Sequence, residues 1–176
     1  MALWGARALG MSLAALVCVA AAGADDISQL QARFDRESNS VHKAKLLEKL
    51  GDAQLEETRR ASQASDYKTI GLVLEKYRDN ARAAVNALKK EHPDAERHTG
   101  GYKQLQIHIH KAIRDVDEIL VIAPEEYDPP IEIVRRDLAA LDDELLNSLF
   151  PRRPEGKKPE GKKDAAPPSA PPEMSP

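Results

Sequence analysis

An apolar stripe with helical period constrains this chain more than any other feature. Between residues 101 and 122 the apolar positions are Leu105, Ile109, Ala112, Ile113, Val116, Ile119 and Leu120. Steps of three and four bring side chains to one face of an α-helix, whereas a half-buried strand needs strict alternation. The same pattern recurs along the chain. Ile70, Leu74, Tyr77, Ala81, Ala84 and Leu88 predict a helix over 66–91. Ala44, Leu47, Leu50, Thr58 and Ala61 predict one over 41–63, with Gly51 on the same face, where it permits close approach of a neighbouring helix. Val134, Leu138, Leu141, Leu145 and Leu149 predict another from Asp128 to Leu149, and Ile27, Leu30 and Phe34 a short one over 26–37. No segment alternates as a strand does.

The punctuation between these stripes agrees with them. Ser38-Asn39-Ser40 and Ser65-Asp66 supply N-cap residues, and Pro93 and Pro124 stop the helices before them. Asp128-Pro129-Pro130 predicts an aspartate cap followed by proline in the first turn, where the missing N–H would be unpaired anyway. Gly100-Gly101 lets the chain turn into the next helix. Each helix has one apolar and one charged side, so burial requires association. The expectation is an all-α fold. It is an antiparallel helical bundle, or a short helical-repeat-like stack, of four main helices plus a short N-terminal helix. A disordered C-terminal tail follows.

The ends differ from this body. Arg7, an apolar run from Ala8 to Ala22 and the small-x-small exit Ala22-Gly23-Ala24 form a signal-peptide pattern over residues 1–24, with cleavage predicted after Ala24. The run is shorter than the roughly 20 apolar residues of a membrane span, so no permanent anchor is expected. Val17 before Cys18 does not fit a lipoprotein signal. Cleavage would remove Cys18 and Trp4, the only cysteine and tryptophan, which excludes thiol chemistry and thiolate metal sites from the exported form. Residues 25–150 form the helical domain. Residues 151–176 repeat Pro-Glu-Gly-Lys-Lys at 154–158 and 159–163 and hold eight prolines, a composition that predicts a disordered Pro/Lys-rich tail.

Charge and chemistry narrow the function further. Residues 25–150 carry 19 Lys and Arg against 25 Asp and Glu, a net −6, which argues against nucleic acid as partner. Five histidines raise a metal hypothesis, with His108 and His110 as its candidates. Two positions apart on a helix they diverge by about 200°. His108 then flanks the core stripe and His110 faces solvent, so no metal, cofactor or catalytic residue is assigned. The carboxylates read as solvated helix faces, with Lys111–Asp115 and Arg114–Glu118 as intrahelical ion pairs.

Leu47-x-x-Leu50-Gly51 followed by Asp66-Tyr67-x-x-Ile70 resembles one tetratricopeptide-type helical hairpin over 44–77, with Tyr67 placed 16 residues after Gly51. Gln63 departs from that family's alanine, and no second copy follows. The resemblance implies a possible interaction face at Leu47, Leu50, Tyr67, Ile70 and Tyr77. More broadly, Lys45–Gly51, Tyr102–His108, Arg135–Leu138 and Leu149–Arg152 make most of 34–153 similar to an uncharacterised group of secreted bacterial helical proteins. That resemblance implies an envelope setting. The expected function is an exported, non-enzymatic helical module, secreted or periplasmic, that binds a protein partner or serves a structural role. Self-association through the Leu138–Leu149 stripe is one form of this. The alternatives are a metal- or small-ligand-binding bundle and an enzyme of unknown class.

Overall fold

The computed structural model describes residues 21–151, so most of the expected signal peptide (1–24) and nearly all of the expected tail (151–176) lie outside the described residues. Five α-helices follow in order: α1 Ala21–Arg36, α2 Ser40–Gln63, α3 Tyr67–Glu91, α4 Thr99–Ile122 and α5 Asp128–Leu149. There is no strand among the described residues, and none of their helices is long and apolar enough to cross a membrane.

Local chemistry sets the helix ends. Asn39 caps α2 by accepting the His42 N–H at 2.9 Å. At the other end of α2 the Asp66 N–H returns to the Ala61 carbonyl at 2.8 Å and the Ser65 N–H to Ser62 at 3.0 Å. This is a Schellman closure, and it requires a left-handed residue, here Ser65 with φ 55°. Asp66 then caps α3, accepting from the Thr69 N–H at 3.1 Å, so one residue serves two helices.

Two expectations about the helix starts need correction. Asp128 does not cap α5. A 3-10 turn at Glu125–Tyr127 already carries the chain into helical geometry, and Asp128 is the first helical residue, with φ −61° and ψ −46°. Gly100 and Gly101 lie inside the first turn of α4 instead of forming a turn before it. A Cβ on Gly101 would meet Leu88 Cδ1 at 3.1 Å, so this glycine brings the start of α4 close to the end of α3.

α2 and α3 form one antiparallel hairpin, and α4 and α5 form another. The hairpins lie side by side with matched helices parallel. Asp52 meets Lys111 and Arg59 meets Asp115, so α2 and α4 rise together. Arg78 and Arg82 meet Asp137 and Lys89 meets Glu144, so α3 and α5 do the same. The α3–α4 loop, His92–His98, crosses the end of this four-helix bundle. Those ion pairs are largely exposed and contribute little individually. Register is held by the buried stripes, including Leu47, Leu50, Ile70, Leu74, Ile109, Val116, Leu138 and Leu145.

α1 docks on the first hairpin through Phe34, which is buried and has the Lys43 ammonium 4.7 Å from its ring centroid. A reciprocal amide pair fixes its register. Gln31 donates to Asn80 at 3.0 Å, and Asn80 donates back at 2.8 Å and reaches Gln54 at 3.5 Å. Asn80 and Gln54 are buried, where an unmatched amide would be costly.

Candidate functional site

The two helical hairpins approach closely where α4 crosses Gly51. His108 is 6% exposed and packs edge-on against the Tyr77 ring, their centroids 5.8 Å apart. A Cβ at position 51 would lie 2.3 Å from His108 Nε2 and 2.7 Å from Tyr77 Cε2. Gly51 therefore does what its place on the α2 stripe implied: it makes room for a side chain from another helix. Among the described residues neither His108 Nε2 nor the Tyr77 hydroxyl has a hydrogen-bond partner. Burial lowers the His108 pKa, and the charges of Asp52, Lys111, Glu48 and Asp115 modify that effect. Burial also raises that of Tyr77.

His110 lies apart from this seam. Its Nδ1 is 3.1 Å from Asp142 Oδ2, while Gln106 donates to the other oxygen of the same carboxylate at 3.0 Å. The cluster ties α4 to α5. His108 and His110 thus contact different helices, as their spacing required, and the structure does not bring them together. Among the described residues no three His, Cys, Asp or Glu side chains converge where a metal ion could be held.

The residues proposed as an interaction face lie inside the molecule. Leu47, Leu50, Ile70 and Tyr77 have no exposed surface, because α2 and α3 turn these stripes toward each other and toward α4 and α5. They belong to the core and present nothing to a partner. In the Leu138–Leu149 stripe, Leu138, Leu141 and Leu145 are likewise buried in the core and Leu149 is half-buried against it. Tyr67 alone reaches the surface, half-buried and stacked on Tyr127 with ring centroids 5.3 Å apart. The ion pairs also need correction. Lys111 binds Asp52 at 2.9 Å and Asp115 binds Arg59 at 3.0 Å, both across the α2–α4 seam, and Arg114 makes no ion pair with Glu118.

Leu72, Ile107, Val121, Ile122, Ile133 and Phe150 are the exposed large apolar side chains among the described residues, and two of them adjoin at the end of the bundle where α2 and α4 finish. Val121 is 84% and Ile122 56% exposed, and the Tyr67 hydroxyl donates to the Ile122 carbonyl at 3.3 Å beside the Tyr67–Tyr127 stack. A notch of about 210 Å³ opens next to them, floored by Leu55, Ile119 and Ile122 and rimmed by Arg59, Asp115 and Glu118. It has room for one or two apolar side chains. The sequence signal for it was Val121-Ile122, which prolongs the α4 apolar run beyond the stripe. No family model, no curated protein and no solved structure matches the chain.

Proposed function

We propose that the chain is an exported, non-enzymatic helical module that binds a partner protein at the α2–α4 end. One observation carries this reading: Val121 and Ile122, adjacent in sequence, stand uncovered beside an apolar notch. Uncovered apolar side chains around a pocket are the usual form of an interaction hot spot. Glu118, Glu125, Glu126 and Asp66 make this end acidic, which suits a partner presenting an apolar anchor with basic flanks. Export rests on the leader pattern at residues 1–24 and on the resemblance to secreted helical proteins.

Crosslinking of the tagged protein in its native compartment, with N-terminal sequencing of the recovered chain, tests both parts. The reading expects a mature chain starting at Asp25 and a recurrent captured protein that is lost in Val121→Asp/Ile122→Asp. Both positions are exposed, so the double variant should fold. An intact Met1 on the folded protein overturns export. Capture that is absent, or unchanged in the double variant, overturns the binding site.

A further inference from the structure

Between the end of α1 and the first half of α2 lies a cleft of about 480 Å³. Arg33 and Arg36 stand on one wall, and His42, Lys45 and Lys49 on the other, with Leu46 among them. The spacing is i, i+3 on α1 and i, i+3, i+7 on α2, so each helix turns its set to one side. The body as a whole is acidic, yet Glu37 is the one acidic residue lining this cleft, and its carboxylate already accepts the Asn39 N–H at 2.8 Å.

The four Arg and Lys side chains here make no ion pair among the described residues. Arg59, Arg78, Arg82, Lys89, Lys111 and Arg135, in contrast, all find carboxylates on neighbouring helices. The positive end of the α2 dipole is already met by the Glu91 carboxylate, which accepts the Ser40 N–H at 3.0 Å, so the attraction of this cleft for an anion comes from its side chains. Four like charges around one cleft repel one another, and a bound anion removes that cost. The chain's own tail does not suit this cleft, since residues 152–176 hold six Lys and Arg against four acidic residues.

We infer that the α1–α2 cleft is a binding site for a phosphate-bearing ligand, with Arg33 and Arg36 gripping it from one wall and Lys45 and Lys49 from the other. A tetrahedral phosphate can accept hydrogen bonds from two opposed walls at once, whereas a planar carboxylate matches a single guanidinium fork best. Lipid headgroups and soluble phosphate esters share this chemistry. The site is separate from the apolar notch at the α2–α4 end.

Calorimetric titration of the purified protein with pyrophosphate, and co-sedimentation with vesicles containing phosphatidylglycerol, tell the two sources apart. Saturable binding of either probe is expected at low salt, weakening about tenfold as sodium chloride rises to about 200 mM. Lys45→Glu/Lys49→Glu should abolish it. Lys68→Glu/Lys76→Glu, which changes the net charge equally on exposed α3 positions, should leave it intact. Pyrophosphate binding alone assigns a soluble ligand, and vesicle binding alone assigns a lipid. Binding of neither probe, equal loss in both variants, or equally tight binding of citrate overturns the inference. Both double variants act at exposed positions, and circular dichroism checks that each remains folded.

Discussion

Replacing Gly51 by alanine opposes two effects of known size. Alanine is a better helix former than glycine by about 1 kcal/mol, so an unobstructed Gly51→Ala would stabilise α2. The new Cβ would nevertheless sit 2.3 Å from His108 Nε2 and 2.7 Å from Tyr77 Cε2. Both rings are buried, so neither can swing into solvent to relieve the overlap. Overpacking of a closed core costs about 1–3 kcal/mol in observed stability, even after relaxation. Because the contact here is closer than any real Cβ contact, the upper part of that range applies, and the net expectation is a loss of about 1–2 kcal/mol. Gly71 supplies the internal control. It lies inside α3 with nothing within 4 Å of its would-be Cβ, so Gly71→Ala should gain about 0.5–1 kcal/mol. Urea unfolding followed by circular dichroism measures both. The same substitution should move the midpoint in opposite directions at the two sites, with the slope unchanged. Combining Gly51→Ala with His108→Ala should remove part of the Gly51→Ala penalty, the contact with Tyr77 keeping the rest, and that coupling identifies the His108 ring as one source of it. If Gly51→Ala stabilises as much as Gly71→Ala does, α4 does not cross α2 at this point and the packing argument fails.

Three further outcomes follow from other parts of the structure. Ser65→Gly should raise stability by about 1 kcal/mol in the same urea assay, because Ser65 holds a left-handed conformation that glycine adopts without steric cost. His108 gives stability a pH dependence. Desolvation lowers its folded pKa below the usual 6.5, so the unfolded chain binds the proton first. Stability is therefore complete above that value and falls as pH drops below it, until the folded protein itself takes the proton. The slope from this group is at most about 1.4 kcal/mol per pH unit, and His108→Ala should remove that component. Asn80→Ala should cost about 2 kcal/mol, since it strands Gln54 in the core and breaks the amide pair to Gln31. Hydrogen exchange should show α1 opening before the bundle in this variant; unchanged protection of α1 would refute its docking role.

The helices were legible because burial imposes its period directly on the sequence. α2 and α3, expected over 41–63 and 66–91, form at Ser40–Gln63 and Tyr67–Glu91. α1, expected over 26–37, is helical from the first described residue, Ala21, to Arg36. Which helix lies beside which is not a periodic property, and the errors come from there. The only ion pairs visible in a sequence are those three or four apart. Lys111 and Asp115 fit that spacing, yet the parallel α2 offers Asp52 to one and Arg59 to the other. A 3-4 stripe likewise does not distinguish a self-buried face from one awaiting a partner, which is why Leu47, Leu50, Ile70 and Tyr77 read as an interaction face before the hairpin claimed them. The α1–α2 cleft was hidden for a different reason. Its cations come from two helices across a turn, and a net-acidic composition averages them away.

The account depends most on the parallel seam that places His108 of α4 over Gly51 of α2, since the hairpin stacking and the position of the apolar notch between α2 and α4 follow from it. Nuclear Overhauser contacts from the two Gly51 Hα protons test it directly in the purified protein. Cross-peaks from these protons to the His108 imidazole and to the Tyr77 ring are the predicted result. If both are missing, and Gly51 instead contacts side chains of α5, the stacking described for the two hairpins is contradicted.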